Sequence, residues 1–192
     1  MKKIFVVIGT RPEAIKMAPI IDAIRNSDRF DVVVCITGQH RELLEPMLEF
    51  FRIVPNFDLG ILEKNICLTE LTAKILQKLS PVVASVKPDL ILVQGDTTSA
   101  YVGAVAGFYQ KVKIGHVEAG LRTYDITSPW PEEMNRRLIT QLSDFHFCPT
   151  EKAMENLLRE GVTKDSIFVT GNTVVDALKD TLGRLANKQG LV

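Results

Sequence analysis

The sequence predicts an α/β fold built on an open, doubly wound parallel sheet. Short aliphatic runs recur along the 192 residues, and their continuous apolar character is expected of strands that are covered on both faces. Segments with helical spacing separate these runs, which is the alternation that right-handed β-α-β crossovers produce. A content of 46% hydrophobic and 24% charged residues is typical of a globular chain with one large core.

Six aliphatic runs are predicted to be strands. They are Ile4–Ile8, Val32–Ile36, Leu90–Val93, Val112–Val117, Phe145–Cys148 and Ile167–Val169. Between the second and third runs, apolar residues from Leu68 to Val86 recur every three or four positions, as on one side of a helix. Pro12 fits the first turn of a helix, Thr150 fits a helix cap, and Gly161 fits a helix end. Pro81, inside the third helical pattern, predicts a kink.

Charge and composition argue against several classes of protein. Lysine plus arginine and aspartate plus glutamate number 23 each, so no net positive field favours nucleic acid or an anionic membrane. No stretch approaches the ~18 apolar residues of a membrane span, and the first apolar run stops at Gly9, too early for a signal peptide. Three scattered cysteines favour a reducing, cytoplasmic location. We expect one domain over residues 1–178 and a polar tail, or the start of a linker, over 179–192.

Polar and charged side chains follow most of the predicted strands. They are Gly9 to Glu13 with Lys16, Thr37 to Arg41, Asp96 to Ser99, Glu118 to Arg122, and Thr170 to Thr173. The ligand crevice of an open α/β sheet lies beyond the carboxyl ends of its strands. We therefore expect these groups to meet at one edge of the sheet.

Asp96 and Glu118 are candidate acid/base residues. Taken alone, Asp96 could simply be a helix N-cap. If Glu118 ends a neighbouring strand, the two carboxylates face one crevice, where their repulsion can separate their pKa values. Glu132 and Glu133 offer a third acidic group, because two prolines restrict the loop that carries them.

Arg11 and Lys16 follow a glycine-led turn at the start of a helix, which favours an anionic ligand such as a phosphate. The alternative for both is a surface ion pair with a glutamate of the helix. Neither a Walker motif nor a G-x-G-x-x-G fingerprint occurs, which disfavours an ATPase or an NAD dehydrogenase. His116 is interpreted as a core residue or a support for Glu118, and His146 as structural. Without compact ligand spacing, we expect no metal, and no other cofactor is predicted.

Six stretches form a set of motifs in one register. They are GTRPEAIKMAP (9–19), GQHR (38–41), QGDTT (94–98), GHVEAGLR (115–122), SPWPEEMNR (128–136) and TGNT (170–173). From Lys3 to about Leu178 the chain closely resembles the non-hydrolysing UDP-N-acetylglucosamine 2-epimerases. The resemblance implies a Rossmann-like domain, the N-terminal half of a glycosyltransferase-B-type architecture that holds its substrate between two halves.

That family interconverts UDP-N-acetylglucosamine and UDP-N-acetylmannosamine. It eliminates UDP to give 2-acetamidoglucal and adds UDP back with the opposite configuration at C2. By resemblance the acid/base residues are Asp96, Glu118 and Glu132, and the substrate-binding residues are Arg11, Lys16, Gln39, His40 and Arg136. Which carboxylate is the acid and which the base stays open. In some bacterial members the positions of Gln39 and His40 help to bind a second, activating substrate molecule, and Glu42 departs from the glutamine found there.

Full members of that family carry a second domain of similar size. The resemblance therefore implies that this chain is the N-terminal half, able to fold but inactive alone, with a homodimer expected for the full-length form. One alternative is the hydrolysing relative, which releases free N-acetylmannosamine and UDP. Another is a nucleotide-sugar-binding remnant without turnover. A glycosyltransferase is less favoured, because three carboxylates suit proton transfer better than acceptor binding.

Overall fold

The computed structural model describes residues 1–38, 41–61 and 66–189, and at its centre lies a parallel sheet of seven strands. The strands are β1 (Lys2–Ile8), β2 (Phe30–Ile36), β3 (Phe57–Asp58), β4 (Leu90–Gln94), β5 (Lys113–Val117), β6 (Phe145–Cys148) and β7 (Ile167–Val169). The α-helices of the described residues are α1 (Arg11–Arg25), α2 (Arg41–Phe50), α3 (Leu68–Val86), α4 (Thr98–Tyr109), α5 (Glu132–Leu142), α6 (Glu151–Arg159) and α7 (Thr173–Gln189). The doubly wound parallel α/β fold predicted from the sequence is confirmed.

The order of the strands creates a switch point between β1 and β4. Across the sheet the order is β3-β2-β1-β4-β5-β6-β7, so the chain winds one way after β1 and the other way after β4. Ligand crevices of open α/β sheets form at such a point. Gln94 of β4 lies opposite Val117 of β5, so Asp96 and Glu118 both emerge just beyond the same edge.

Helices cover both faces of the sheet, which explains why the strands read as continuous apolar runs. Val6 and Ile8 of β1 belong to a buried cluster with α1 and α2. Phe5 and Val7, which point to the opposite face, belong to a second cluster with α3 and α4. Burying a side chain of this size contributes roughly 1.5–3 kcal/mol, so the strands are held by apolar contacts from both sides.

The apolar side of α3 is the one that its spacing predicts. The buried residues of this helix are Leu71, Ile75, Leu79 and Val83. The helix runs through Pro81 to Val86, and a kink at that proline stays a prediction. Sequence patterning missed β3, because its two residues, Phe57 and Asp58, are too few to show a period.

The predicted helix boundaries are confirmed at three positions. Pro12 lies in the first turn of α1. The side chain of Thr150 accepts a hydrogen bond from the backbone N–H of Ala153 at the start of α6. Gly161 lies two residues beyond the end of α6 with a φ of +85°, a left-handed conformation that glycine adopts without strain.

The last helix, α7, continues past residue 178. Its Ala177 is buried, and Arg184 lies 3.6 Å from Asp22 of α1 and donates a hydrogen bond to the carbonyl of Phe50. The stretch from residue 179 therefore begins as a helix that contacts the rest of the fold, and its role as a linker stays a prediction. Within the part of the chain that the structure describes, no helix combines the length and apolar character needed to cross a membrane.

Candidate active site

Glu118 lies at the carboxyl end of β5, within a set of polar partners. Its two carboxylate oxygens each lie 2.7 Å from Lys16 Nζ. Gln94 Nε2 donates to one oxygen at 2.5 Å, and Asn172 Nδ2 donates to the other at 3.4 Å. The backbone of Glu118 has a φ of +66°, which is uncommon for a residue with a Cβ and is often found at functional sites.

Lys16 is paired across the crevice and not along its own helix. Its partner Glu118 comes from β5, 102 residues away in the chain, and the two side chains are 24% and 13% exposed. The alternative of a surface pair within the helix is therefore wrong for Lys16. Arg11 is exposed and has no hydrogen-bond or ion-pair partner among the residues that the structure describes, so its guanidinium group is open to an anionic ligand.

Asp96 follows β4 and pairs with a cation of its own. Arg136 Nη2 lies 2.6 Å from Asp96 Oδ2, and Asn135 Nδ2 donates to the Asp96 carbonyl at 2.9 Å. The N-cap of α4 is Thr97, whose side chain accepts a hydrogen bond from Ala100 N–H at 3.0 Å. The interpretation of Asp96 as an N-cap is therefore wrong, and its carboxylate does not bind the amides at the start of α4.

The carboxylate of Glu118 lies close to the loop that carries Asp96. A Cβ atom placed on Gly95 would be 3.7 Å from Glu118 Oε2, and Gly95 N–H donates to the Val117 carbonyl at 3.0 Å. Gly95 adopts a φ of +71°, a conformation for which glycine is suited. The two acidic residues therefore follow adjacent strands, and the Glu118 carboxylate lies close to the turn that leads into Asp96.

Glu133 and Glu132 open α5 but have different surroundings. Glu133 is fully buried and accepts hydrogen bonds from the N–H groups of Thr123 and Tyr124 and from Arg136 Nη1. Burial alone would raise the pKa of Glu133, but these hydrogen bonds outweigh it and leave the pKa lowered. Glu132 is partly buried, and its side chain has no hydrogen bond or ion pair within the described part of the chain.

Glu13 is a buried carboxylate in the turn after β1, a stretch expected at this edge, but the sequence assigned it no specific role. It is 1% exposed and accepts from Gly9 N–H at 2.8 Å, from Thr10 N–H, and from Thr97 Oγ1 at 2.7 Å. Burial raises its pKa, against the effect of these hydrogen bonds. The signal was present, because Glu13 follows Thr10 by three residues, the spacing of a capping box. Because Glu13 already accepts the hydrogen bonds of two backbone amides in this turn, a phosphate bound here would be held mainly by the Arg11 side chain.

A groove with mainly apolar sides opens beside Arg11 and Lys16. Its volume is about 460 Å³, and it lies between the start of α1, α2 and the start of α7. The lining residues are Thr10, Arg11, Pro12, Ile15, Lys16, Leu43 and Val174. The crevice therefore offers space for an organic group next to the two cations.

His116 supports the turn after β4 and does not contact Glu118 through a hydrogen bond. Its Nε2 lies 2.7 Å from the Gly95 carbonyl, so the interpretation of His116 as a core residue is correct and a direct bond to Glu118 is absent from the described contacts. Burial lowers the pKa of His116 to about 3. His146 is also buried, with Nε2 3.1 Å from the Thr140 carbonyl, which fits the structural role expected for it.

The buried imidazole of His116 should make stability depend on pH. Unfolding frees it to protonate with its ordinary pKa of 6.5, while the folded value is about 3. The free energy of unfolding should therefore fall as pH drops from 6.5 towards 3, by about 1.4 kcal/mol per pH unit for this group. Urea unfolding at pH 7.5 and 4.5 checks this result: the advantage of the wild type over His116→Gln should shrink by about 2–3 kcal/mol. If the free energies of unfolding of the wild type and of His116→Gln changed by the same amount between the two pH values, the prediction would be wrong.

Two of the substrate-binding positions predicted from the sequence, Gln39 and His40, lie outside the described residues.

The cysteines are free, with Cys35 and Cys148 buried and Cys67 exposed. Burial raises the pKa of Cys35 to about 12 and that of Cys148 to about 11, which makes both thiols unreactive. Over residues 1–38, 41–61 and 66–189, no group of three or more His, Cys, Asp or Glu side chains could hold a metal ion.

The fold and the crevice together define a class of protein. It is a Rossmann-like α/β domain that presents paired carboxylates and cations at the carboxyl edge of its sheet, where such domains bind ligands. A family model described as UDP-N-acetylglucosamine 2-epimerase matches residues 22–191. The chain belongs to the UDP-N-acetylglucosamine 2-epimerase family.

Individual relatives agree with the family model. The UDP-N-acetylglucosamine 2-epimerase of Salmonella typhimurium is 53% identical over 176 residues, which cover 92% of this chain and 47% of that protein. The enzyme of the same name from Campylobacter jejuni is 54% identical over 178 residues, or 93% of this chain and 46% of that protein. The chain therefore spans about half the length of the curated relatives that it matches.

Solved structures show the same relation. The Neisseria meningitidis UDP-GlcNAc 2-epimerase bound to UDP-GlcNAc superimposes with a TM-score of 0.93 at 50% identity, over 96% of this chain and 50% of that one. The Methanocaldococcus jannaschii enzyme in complex with UDP-GlcNAc and UDP gives a TM-score of 0.86 at 40% identity, over 91% of this chain and 48% of that one. The Rossmann-like assignment made from the sequence is confirmed.

Proposed function

We propose that this chain supplies one half of the catalytic centre of an isomerase that interconverts UDP-N-acetylglucosamine and UDP-N-acetylmannosamine. The observation that carries the proposal is the arrangement at the switch point. Glu118 and Asp96 emerge from adjacent strands, and each is paired with a cation, Lys16 or Arg136. Membership of the epimerase family and the nucleotide sugar bound by the Neisseria meningitidis relative support the choice of substrate.

The proposed chemistry requires acids, bases and cations in one crevice. A base removes the proton at C2 while the bond between C1 and the diphosphate oxygen breaks, giving 2-acetamidoglucal and UDP. UDP then adds back at C1 as an acid returns a proton to the opposite face of C2. We assign the acid/base roles to Asp96, Glu118 and Glu132, without dividing them between acid and base.

The cations of the crevice would bind the substrate and stabilise the leaving diphosphate. Arg11 is the most accessible of them, because it has no partner among the described residues. Lys16 and Arg136 are already paired with carboxylates, so they can also hold these groups in position. Gln39 and His40 remain proposed substrate contacts by resemblance.

Activity is expected to need more than the residues present in this chain. The relatives are about twice as long, and we propose that a region equivalent to their remaining half completes the substrate site. That region could belong to the same polypeptide or to a separate one. We further propose a homodimer for the complete enzyme and a cytoplasmic location, where nucleotide sugars are available.

The test is to incubate the complete enzyme with UDP-N-acetylglucosamine in D₂O and to follow the products by proton NMR. We expect UDP-N-acetylmannosamine to form, with deuterium at C2 of both sugar nucleotides. Free N-acetylmannosamine and UDP would indicate the hydrolysing relative instead. Binding of UDP-N-acetylglucosamine without turnover or exchange would indicate a non-catalytic nucleotide-sugar-binding protein and would overturn the proposal.

A further inference from the structure

Glu133 is a buried acidic group near the crevice that the proposed reaction does not use. Its side chain is 0% exposed, whereas the side chains of Arg136 and Asp96 are 16% and 26% exposed. The three groups form a chain that leads from the protein interior to the crevice. At its inner end Glu133 Oε2 lies 3.1 Å from Arg136 Nη1, and at its outer end Arg136 Nη2 lies 2.6 Å from Asp96 Oδ2.

The inner end of this chain is fixed by the backbone. The N–H groups of Thr123 and Tyr124 donate to the two oxygens of Glu133 at 3.1 and 3.2 Å. A carboxylate held by two amides has a defined orientation, and it cannot follow Arg136 if that side chain moves. The buried carboxylate of Glu133 therefore fixes the position of the Arg136 guanidinium group.

Asp96 is held by α5 at two points. Arg136 binds its carboxylate, and Asn135, the preceding residue of the helix, donates to its carbonyl at 2.9 Å. Without a fixed anchor, a flexible arginine side chain could pair with Asp96 in many geometries, and a proton transfer depends on a narrow range of them. Glu133 supplies that anchor.

We propose that Glu133 is a positioning residue that acts on Asp96 through Arg136. This inference rests on the proposed function, because it assumes that Asp96 takes part in proton transfer. A purely structural alternative exists: Glu133 could serve only to hold the loop before α5 by its bonds to Thr123 and Tyr124. The two roles differ in whether the effect of Glu133 on turnover requires Arg136.

A double-mutant cycle in the complete enzyme separates these roles. The variants are Glu133→Gln, Arg136→Gln and the double variant, assayed for kcat and KM with UDP-N-acetylglucosamine. We expect Glu133→Gln to lower kcat by about 10- to 100-fold with little change in KM, since a misplacement of ~1 Å can cost about 100-fold. In the Arg136→Gln background, Glu133→Gln should lower kcat by less than about twofold, because the group through which it acts is already gone.

Arg137→Gln is the matched control. Arg137 also lies close to Glu133, with Nε 3.4 Å from Oε1, but its side chain is 36% exposed and it has no described contact with Asp96. Removing it should leave kcat within about twofold of the wild type. If Glu133→Gln fails to fold, Glu133→Asp, which keeps the charge and withdraws it by one methylene, takes its place in the same cycle.

The possible outcomes separate this inference from the proposed function. Effects that multiply in the double variant would overturn the positioning role while leaving the function intact. A loss of kcat that is as large in Arg137→Gln as in Glu133→Gln would also overturn it. A wild type without epimerisation would remove the proposed function, whereas an Asp96→Asn variant with normal turnover would leave that function intact and remove the role of Asp96 on which the inference rests.

Discussion

Glu118→Gln should lower the turnover of the complete enzyme by about 10²–10⁴-fold and remove deuterium exchange at C2. Glutamine keeps the size of the side chain and can still accept a hydrogen bond, but it cannot take up a proton at the pH of the assay. Asp96→Asn should have the same effect for the same reason. The cations paired with these two carboxylates, Lys16 and Arg136, are 24% and 16% exposed, so the free energy of unfolding should fall by less than when a fully buried cation loses its partner. Proton NMR in D₂O and urea unfolding measure the two quantities.

A suitable control for this experiment is Glu49→Gln. Glu49 is exposed on α2, so the same chemical change there should affect neither turnover nor exchange. If Glu118→Gln epimerises at more than about a tenth of the wild-type rate, Glu118 is not one of the acid/base groups. The Lys16–Glu118 pair would then be a structural contact or a means of holding Lys16 for the substrate.

Glu160→Gln should produce the largest loss of stability among the charged substitutions that we consider. Arg122 has a side chain that is 0% exposed, and its guanidinium group donates two hydrogen bonds of 2.8 Å to Glu160. Glutamine would remove the counter-charge of the buried cation and one of its two acceptor oxygens, while the Thr140 hydroxyl and the Leu121 carbonyl remain as partners. Breaking a buried ion pair typically costs about 3–5 kcal/mol. We expect about 3 kcal/mol by urea unfolding, since Glu160 is 24% exposed.

The control for Glu160→Gln lies on α6, the helix that Glu160 directly follows. Glu155 pairs with Lys152 at 3.4 Å, but the two side chains are 51% and 66% exposed, and such pairs contribute about 0–1 kcal/mol. Glu155→Gln should therefore be almost neutral. A second check is the double substitution of Arg122 and Glu160 by leucine, which removes the buried charge together with its partner and should be less destabilising than Glu160→Gln. If Glu160→Gln lowered the free energy of unfolding by less than about 1 kcal/mol, the pair would not behave as a buried ion pair, and the prediction would be wrong.

Most of the fold could be predicted because its signals are local. The six predicted runs overlap β1, β2 and β4–β7, since an aliphatic strand covered on both faces is recognisable from a few consecutive residues. The spacing of α3 and the cap at Thr150 are equally local. β3 escaped detection because two residues cannot show a pattern, and its place at the edge of the sheet follows only from pairing with β2.

The site could be predicted in part. The sequence was sufficient to gather Asp96, Glu118 and Lys16 at one edge, because the carboxyl ends of parallel strands must lie together. It could not show that Thr97 and not Asp96 caps α4, or that Glu133 is buried while its neighbour Glu132 is partly exposed. Adjacent residues of the same type look alike in a sequence, and their difference depends on which side of the helix faces the interior.

The sequence by itself determined the α/β class, the positions of the strands and the set of polar groups at their ends. Only the tertiary structure decided how those groups pair. Lys16 meets Glu118 across 102 positions of the chain, and Arg136 meets Asp96 across 40. Such contacts depend on strand order and on the approach of a separate helix, so no local pattern encodes them; burial and distance, which set the strength of each charge pair, exist only after the chain has folded.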